Sequence, residues 1–516
     1  MIIQKYKLFS NTHYFILLST VCALGFAVLL YHNYFLYIQY DAYYYAAVAD
    51  SLIHHQELKN IAHEPAIAVM TPQNGIVYLH FLLHKIGIHS IEARLTTLLF
   101  ANAIIMIGCC TLLFRVFQNY EIERKAVFLV SLSACLSYYF YMVLLQPIND
   151  GLFILLNLIA LNIILKNNFS KSNLISLLVI ALVIGHFRLS GFLVFAVAAI
   201  AYLTLRHYRQ SLYHVFFTFV SLFSPFILAF IIGLDFSGFG EQTQDMVSRY
   251  SFEYFVDHAH KTLSLNIPEA FFRMSFFTSG FSIPAAMFGY LISIPLISVV
   301  SWLTYKAIRN RNLSLLVICG VFISYLLYFQ VHKAQPTRYI ILLSFLFPYL
   351  LLLVIPKSRQ VRWSTIYLAI IAIISTSAIF ITDKGEIGKQ KFTYKEEMLD
   401  DIADKEFILF SHFPRITYYL LDSSAHVNFD SIKQNHLKQN VLIVGPREYI
   451  GSILYKIQNT HRRKVVSYKT LPNRYTEYLF SKEPRFEFKY DAHEIISLWL
   501  VLGKGQRPPM VEKMEN

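Results

Sequence analysis

Apolar residues in this chain come in long unbroken runs, not in the two-residue or 3.6-residue rhythms of a water-facing surface. Stretches of roughly 17–25 apolar residues are long enough to cross a bilayer as helices. Such runs, with three shorter ones, occur at 14–37, 95–117, 126–145, 151–165, 174–187, 191–205, 212–234, 281–305, 313–329, 339–355 and 364–381. They predict about eleven spanning helices. Lys5 and Lys7 precede the first run. That run is too long for a signal peptide and has no small-residue cleavage site, so it reads as an uncleaved first helix.

The loops between the runs orient them. With the N-terminus inside, the inner connections carry Arg115/Arg124/Lys125, Lys166/Lys171, Arg206/Arg209, Lys306/Arg309/Arg311 and Lys357/Arg359/Arg362. Every short inner loop is therefore basic, as the positive-inside pattern requires. An odd number of spans then places both Asp41 and the segment 383–516 outside. Outer stretch 41–94 holds Pro65, Pro72 and Gly75 and two apolar runs too short to span, 42–53 and 76–88. The second of these reads as an amphipathic helix lying in the interface. Two more outer stretches are 235–280 and 330–339.

Beyond residue 381 the apolar runs shorten to strand length, at 407–410, 441–444 and 464–468. Helix-like segments alternate with them, at 394–402, 414–421 and 448–458. This alternation predicts a small α/β domain of about 130 residues. The expected fold class is an all-α polytopic membrane protein with interfacial helices and a small C-terminal α/β extracytoplasmic domain. Its domains are 1–382, with outer loops 40–94 and 235–280, and 383–516.

Composition agrees. Of 516 residues 56% are hydrophobic and only 15% charged, well below the roughly one quarter charged of a soluble domain. The net charge of +13 suits basic inner loops and anionic lipid. No basic run alternates with aromatic residues, so nucleic acid is not an expected partner. All five cysteines lie in apolar runs and none after residue 381, which leaves no disulfide framework for the C-terminal domain.

Several residues could carry chemistry. Asp41 stands where the first run leaves the membrane, before Tyr43, Tyr44 and Tyr45, whose rings suit the headgroup zone. It is either a solvated carboxylate at a helix end or a general base taking a proton from an acceptor hydroxyl. Asn149 and Asp150 precede an apolar run, as helix caps or as polar groups facing an outer cavity. His332, Lys333 and Arg338 form an outer basic cluster, and Arg188 sits between two short apolar runs. Such groups bind phosphate or anchor the interface, and an arginine there must face protein or water. His54, His55, His63, His258 and His260 lack the spacing of a helical metal motif, so no metal ligand is assigned.

Taken together, Asp41-Ala42-Tyr43-Tyr44-Tyr45, Thr71-Pro72-Gln73-Asn74-Gly75-Ile76-Val77-Tyr78-Leu79, Arg188-Leu189-Ser190-Gly191 and Lys333…Arg338-Tyr339 resemble, in order and topology, the C-superfold (GT-C) integral-membrane glycosyltransferases. The likeness is to the bacterial branch of protein O-mannosyltransferase-like and lipid A aminoarabinose transferase-like enzymes, and it covers roughly residues 30–355. It implies transfer of a hexosyl or pentosyl group from a polyprenyl-phosphate donor to a lipid-linked glycan, surface polysaccharide or protein. The reaction would take place on the outer face of the cytoplasmic (inner) membrane. Asp41 would be the base, and Arg188, Lys333, Arg338 and His332 would bind the lipid phosphate. Many members carry two adjacent acids in the first loop. This chain has Tyr40-Asp41-Ala42, a single acid, which makes Asp150 the second catalytic candidate. No cofactor is required by these residues, although the resemblance admits a divalent metal.

Two other classes fit the same loops. A transporter or flippase of lipid-linked sugar predicts ionisable residues at span midplanes and paired broken helices; most charges here lie at span ends. A surface-polysaccharide polymerase or ligase would share the dependence on outer-loop arginines.

Overall fold

A computed structural model describes residues 11–31, 40–69, 73–117, 120–144, 148–231, 252–273, 283–331 and 341–382, and the strands 407–411, 425–426, 440–446, 465–470 and 496–501. Each of the long apolar runs contains helix where described. They form α1 (Asn11–Tyr31), α4 (Ile91–Phe117), α5 (Arg124–Cys135), α6 (Tyr138–Leu144), α7 (Asp150–Leu165), α8 (Lys171–Phe187), α9 (Leu193–Thr204), α10 (Tyr208–Ile231), α13 (Ile283–Arg309), α14 (Leu313–Val331), α15 (Ile341–Leu352) and α16 (Lys357–Thr382). Two segments of the stretch 40–94 supply α2 (Tyr40–His55) and α3 (Gly75–Lys85), and α11 (Phe252–Lys261) and α12 (Ile267–Phe272) follow α10. Among the described residues, four helices are long and apolar enough to cross a membrane by length and composition: Ile91–Phe117, Tyr208–Ile231, Gly289–Arg309 and Leu313–Gln330. The run at 126–145 is broken between α5 and α6, where Ser137 turns its carbonyl to Phe140 and Tyr141.

The helices fall into two compact units. The first comprises Met1–His32, Met70–Ile76 and Thr96–Asp383; the second comprises Asn33–Val69, Val77–Leu95 and Lys384–Asn516. In the first unit α10 shows how helices of this chain pack. Its exposed stripe is Leu212, Phe216, Phe219, Phe223, Ile227 and Phe230, while Ser211, His214, Ser221 and Ser224 face inward. Large apolar groups turned outward with small and polar ones turned in is the arrangement of a helix solvated by lipid. Close approach makes it work: a Cβ on Gly185 of α8 would stand 2.1 Å from the Ser221 carbonyl oxygen, and Ser224 Oγ donates to the Leu182 carbonyl at 2.9 Å. The centre of the unit is α15, buried around its whole circumference. Its rings stack on neighbours, Phe345 on Phe140 with centroids 4.1 Å apart and Tyr349 on Phe117 at 4.1 Å.

The second unit is built on strands. β1 (Lys59–Asn60), β2 (His63–Glu64) and β3 (Ile67–Ala68) lie in the first outer loop. β4 (Phe407–Ser411), β5 (Ala425–His426), β6 (Asn440–Pro446), β7 (Val465–Thr470) and β8 (Ile496–Val501) lie near the C-terminus. Six of them form one mixed sheet in the order β2-β5-β4-β6-β8-β7. β4 pairs in parallel with β6, Ile408 opposite Val441. Both strands are continuous apolar runs, Phe-Ile-Leu-Phe in β4 and Val-Leu-Ile-Val in β6, the pattern of strands covered on two faces. The three strand-length runs expected after residue 381 are thus strands, and the helix-like segments 394–402, 414–421 and 448–458 lie outside the described residues. β2 was not expected. It pairs in parallel with β5, His63 opposite Ala425, so the first outer loop contributes a strand to the C-terminal sheet.

Candidate functional site

In the first unit the site is assembled around the start of α7. Asn149 does not cap this helix with its side chain; its Oδ1 instead accepts from the Ile76 N–H at 3.3 Å, tying α7 to the start of α3. Asp150 opens the helix and is 1% exposed. The positive end of a helix dipole stabilises a carboxylate at that position. Asp150 Oδ1 accepts from Arg188 Nη2 in an ion pair, and Oδ2 has no hydrogen-bond partner among the described residues.

Arg188 occupies the extended link between α8 and α9, and its backbone N–H donates to the Ile184 carbonyl at 3.2 Å. Its guanidinium lies over the Phe153 ring, 5.7 Å from the centroid. The side chain is 17% exposed, whereas that of Asp150 is 2% exposed. Tyr325 of α14 braces the link, its hydroxyl 2.9 Å from Asn157 Oδ1 and 3.1 Å from the Ser190 carbonyl oxygen. A partly exposed arginine held by a buried acid, an aromatic face and a braced turn is fixed in orientation, and a guanidinium so fixed has the chemistry to pair with an anion. The sequence placed Arg188 and Asp150 separately; the structure brings them together, 38 residues apart in the chain.

In the second unit Asp41 is the second residue of α2. The C-terminal half of α2 is locked by a buried ion pair between Asp50 and Arg94, and Arg94 Nη1 also donates to the His89 carbonyl. Arg94 is 1% exposed, and a buried charge is held only when paired. Neither residue was singled out from the sequence. Its signal was a second acid on the segment that begins with Asp41. His80 of α3 is fully buried with neither ring nitrogen hydrogen-bonded among the described residues. Burial, with the Arg94 charge adding to it, pushes its imidazole down to about 3.

A third buried cation lies in the first unit. Arg273 ends α12 in the left-handed region, φ 53°. Its guanidinium packs over Phe140 at 4.7 Å and Tyr367 at 5.4 Å, and its Nη1 donates to Ser133 Oγ at 2.6 Å. Nε and Nη2 have no partner, and no carboxylate pairs with it among the described residues.

His332, Lys333 and Arg338 lie outside the described residues. His54 and His55 end α2, and His63 lies in β2. His258 and His260 are on helix α11, where His258 stacks on Tyr254 with centroids 3.9 Å apart and His260 meets the Tyr290 hydroxyl. Among the described residues, one group of three carries ligand atoms close enough to share a metal ion: Cys22, Cys110 and Cys135.

No protein-family model matches this sequence, and a search of curated proteins returns no match. Solved structures do resemble it. ArnT from Cupriavidus metallidurans in the apo state has a TM-score of 0.53 and 11% identity, over 92% of this chain and 97% of that one. The same protein bound to undecaprenyl phosphate gives 0.51, with the same identity and coverage. An oligosaccharyltransferase from Archaeoglobus fulgidus reaches 0.49, at 11% identity over 88% of this chain and 71% of that one. The fold is therefore the GT-C fold that the order of segments led us to expect, on a membrane protein built mainly of helices.

Proposed function

We propose that this chain is a membrane glycosyltransferase that moves a sugar from a polyprenyl-phosphate donor to a hydroxyl acceptor. The observation that carries this reading is the fold likeness to ArnT along nearly the whole of both chains, one structure of which holds undecaprenyl phosphate. The pre-oriented arginine supports it. As the bond between sugar C1 and the phosphate oxygen breaks, negative charge gathers on the lipid phosphate. Arg188 would take up that charge, together with Lys333, Arg338 and His332. Asp150, bonded to Arg188, acts by holding that guanidinium, and is thus a positioning residue in the reaction. Asp41 would accept the proton of the attacking hydroxyl as its oxygen bonds to C1. The products are a glycosylated acceptor and polyprenyl phosphate. The acceptor is a lipid-linked glycan, a surface polysaccharide or a protein, and the sugar is a hexose or a pentose.

The proposal includes about eleven spans in the cytoplasmic membrane, the N-terminus inside, and the segment 383–516 as an outer α/β domain. Pairing of β2 with β5 supports a shared side for the first loop and the C-terminal strands, because a backbone ladder cannot cross a bilayer.

The test is binding of undecaprenyl phosphate to the full-length protein in detergent, followed by native mass spectrometry. Retention by the wild type and loss by Arg188→Ala, at least about tenfold, is the expected result. Equal retention by both would remove Arg188 from the phosphate site. In proteoliposomes, movement of intact donor across the bilayer with no sugar transferred would replace the enzyme with a transporter.

A further inference from the structure

Three cysteines from separate helices converge in the first unit: Cys22 of α1, Cys110 of α4 and Cys135 at the end of α5. Their sulfurs all lie within 4.8 Å of one another, and all three residues are buried. None is in a disulfide. The convergence is built. A Cβ on Gly25, one turn from Cys22 on α1, would meet the Tyr141 hydroxyl at 2.2 Å, so only glycine lets α1 approach this closely. That hydroxyl is 2.7 Å from the Cys135 carbonyl oxygen and 3.2 Å from the Cys22 carbonyl oxygen, fixing the two backbones against each other.

We propose that Cys22, Cys110 and Cys135 form a trigonal three-sulfur site for a soft monovalent metal ion, copper(I). A metal about 2.3 Å from each of three sulfurs in one plane sets those sulfurs about 4.0 Å apart, so a small contraction completes the site. Thiolate ligands select soft ions, and zinc in a structural site asks for a fourth ligand. No further His, Cys, Asp or Glu joins this group among the described residues.

Charge points the same way. Copper(I) held by two thiolates and one thiol carries one net negative charge, with the two protons released to solvent on binding. Arg273 supplies the opposite charge. It bonds to Ser133 two residues before Cys135, and it has no carboxylate partner among the described residues. A buried cation with no carboxylate partner among the described residues is costly alone; with copper(I) bound to the three sulfurs it completes a neutral site joining α1, α4 and α5.

The experiment titrates copper(I) into reduced full-length protein in detergent, without oxygen, against a chromophoric copper(I) chelator. The expected result is one copper(I) per chain, retained by Cys319→Ser and weakened at least about 100-fold by Cys110→Ser. Arg273→Leu should weaken binding about tenfold without changing the stoichiometry. X-ray absorption of the copper-loaded wild type guards against misfolded variants, with sulfur-only coordination by three ligands expected. Absence of stoichiometric copper, binding unchanged in Cys110→Ser, or nitrogen and oxygen ligands in the absorption spectrum would each overturn the site.

Discussion

At the scale of single residues the account rests on paired and unpaired buried charges. Asp150→Asn removes the carboxylate charge from the Asp150–Arg188 ion pair. Breaking such a pair costs about 3 kcal/mol, seen as a lower melting temperature in detergent, and Asp150→Asn combined with Arg188→Leu should recover part of it. Recovery no greater than the sum of the single effects would mean that the two side chains do not act as a pair. His80 carries a pH dependence. Its ordinary value is 6.5, and burial holds it at about 3 in the folded protein. Above 6.5 both states are neutral and stability is full. Below it the unfolded chain takes a proton that the folded chain refuses, so stability falls as the pH drops from 6.5 towards 3. At pH 5 the loss is about 2 kcal/mol, and His80→Leu should flatten the profile between pH 7 and 5. An unchanged acid slope in that variant would place the titration elsewhere. Asp150 and Arg188 were legible as polar groups bounding apolar runs, because a charge there is costly enough to stand out. Arg273 was not: its interest comes from a left-handed turn and from two aromatic faces far away in the chain.

At the scale of elements, helices were legible and their joints were not. An uninterrupted apolar run is itself the signal for a helix in lipid, so each run contains helix where described. The break between α5 and α6 leaves no polar mark, since Leu136 and Ser137 suit a membrane helix as well as a turn. Short strands were invisible for a different reason. β2 has two residues, and its partner β5 is more than three hundred positions away, so neither alternation nor a turn announces it. That pairing is open to direct test. His63 and Ala425 are register partners, and neighbouring strands lie within the Cα separation that a disulfide spans. His63→Cys with Ala425→Cys should therefore form a disulfide on mild oxidation, read as a gel shift after proteolysis between the two sites; no crosslink would unseat β2 from the sheet. Helix contact is equally exacting. A Cβ on Gly289 of α13 would lie 1.9 Å from the Ser264 carbonyl oxygen, so Gly289→Ala must push α13 from the turn before α12. Overpacking of this kind costs about 2 kcal/mol, and a melting temperature equal to wild type would show that the contact yields freely.

At the scale of the whole molecule, a membrane protein built mainly of helices was readable because a bilayer admits few solutions, and long apolar helices are one of them. What the hydropathy pattern could not show is that the first loop and the C-terminal segment share a sheet, which makes them one unit through contacts distant in sequence. The proposed reaction assigns the base to Asp41, carried at the start of α2, while the Asp50–Arg94 pair anchors the other end of the same helix. Its test is sugar transfer by the reconstituted full-length protein, supplied with polyprenyl-phosphate sugars and a mixture of envelope glycan acceptors, comparing wild type with Asp41→Asn. The account predicts release of polyprenyl phosphate with sugar transferred by the wild type, and a rate at least about 100-fold lower in Asp41→Asn at unchanged donor binding. Transfer at the wild-type rate by Asp41→Asn would contradict it.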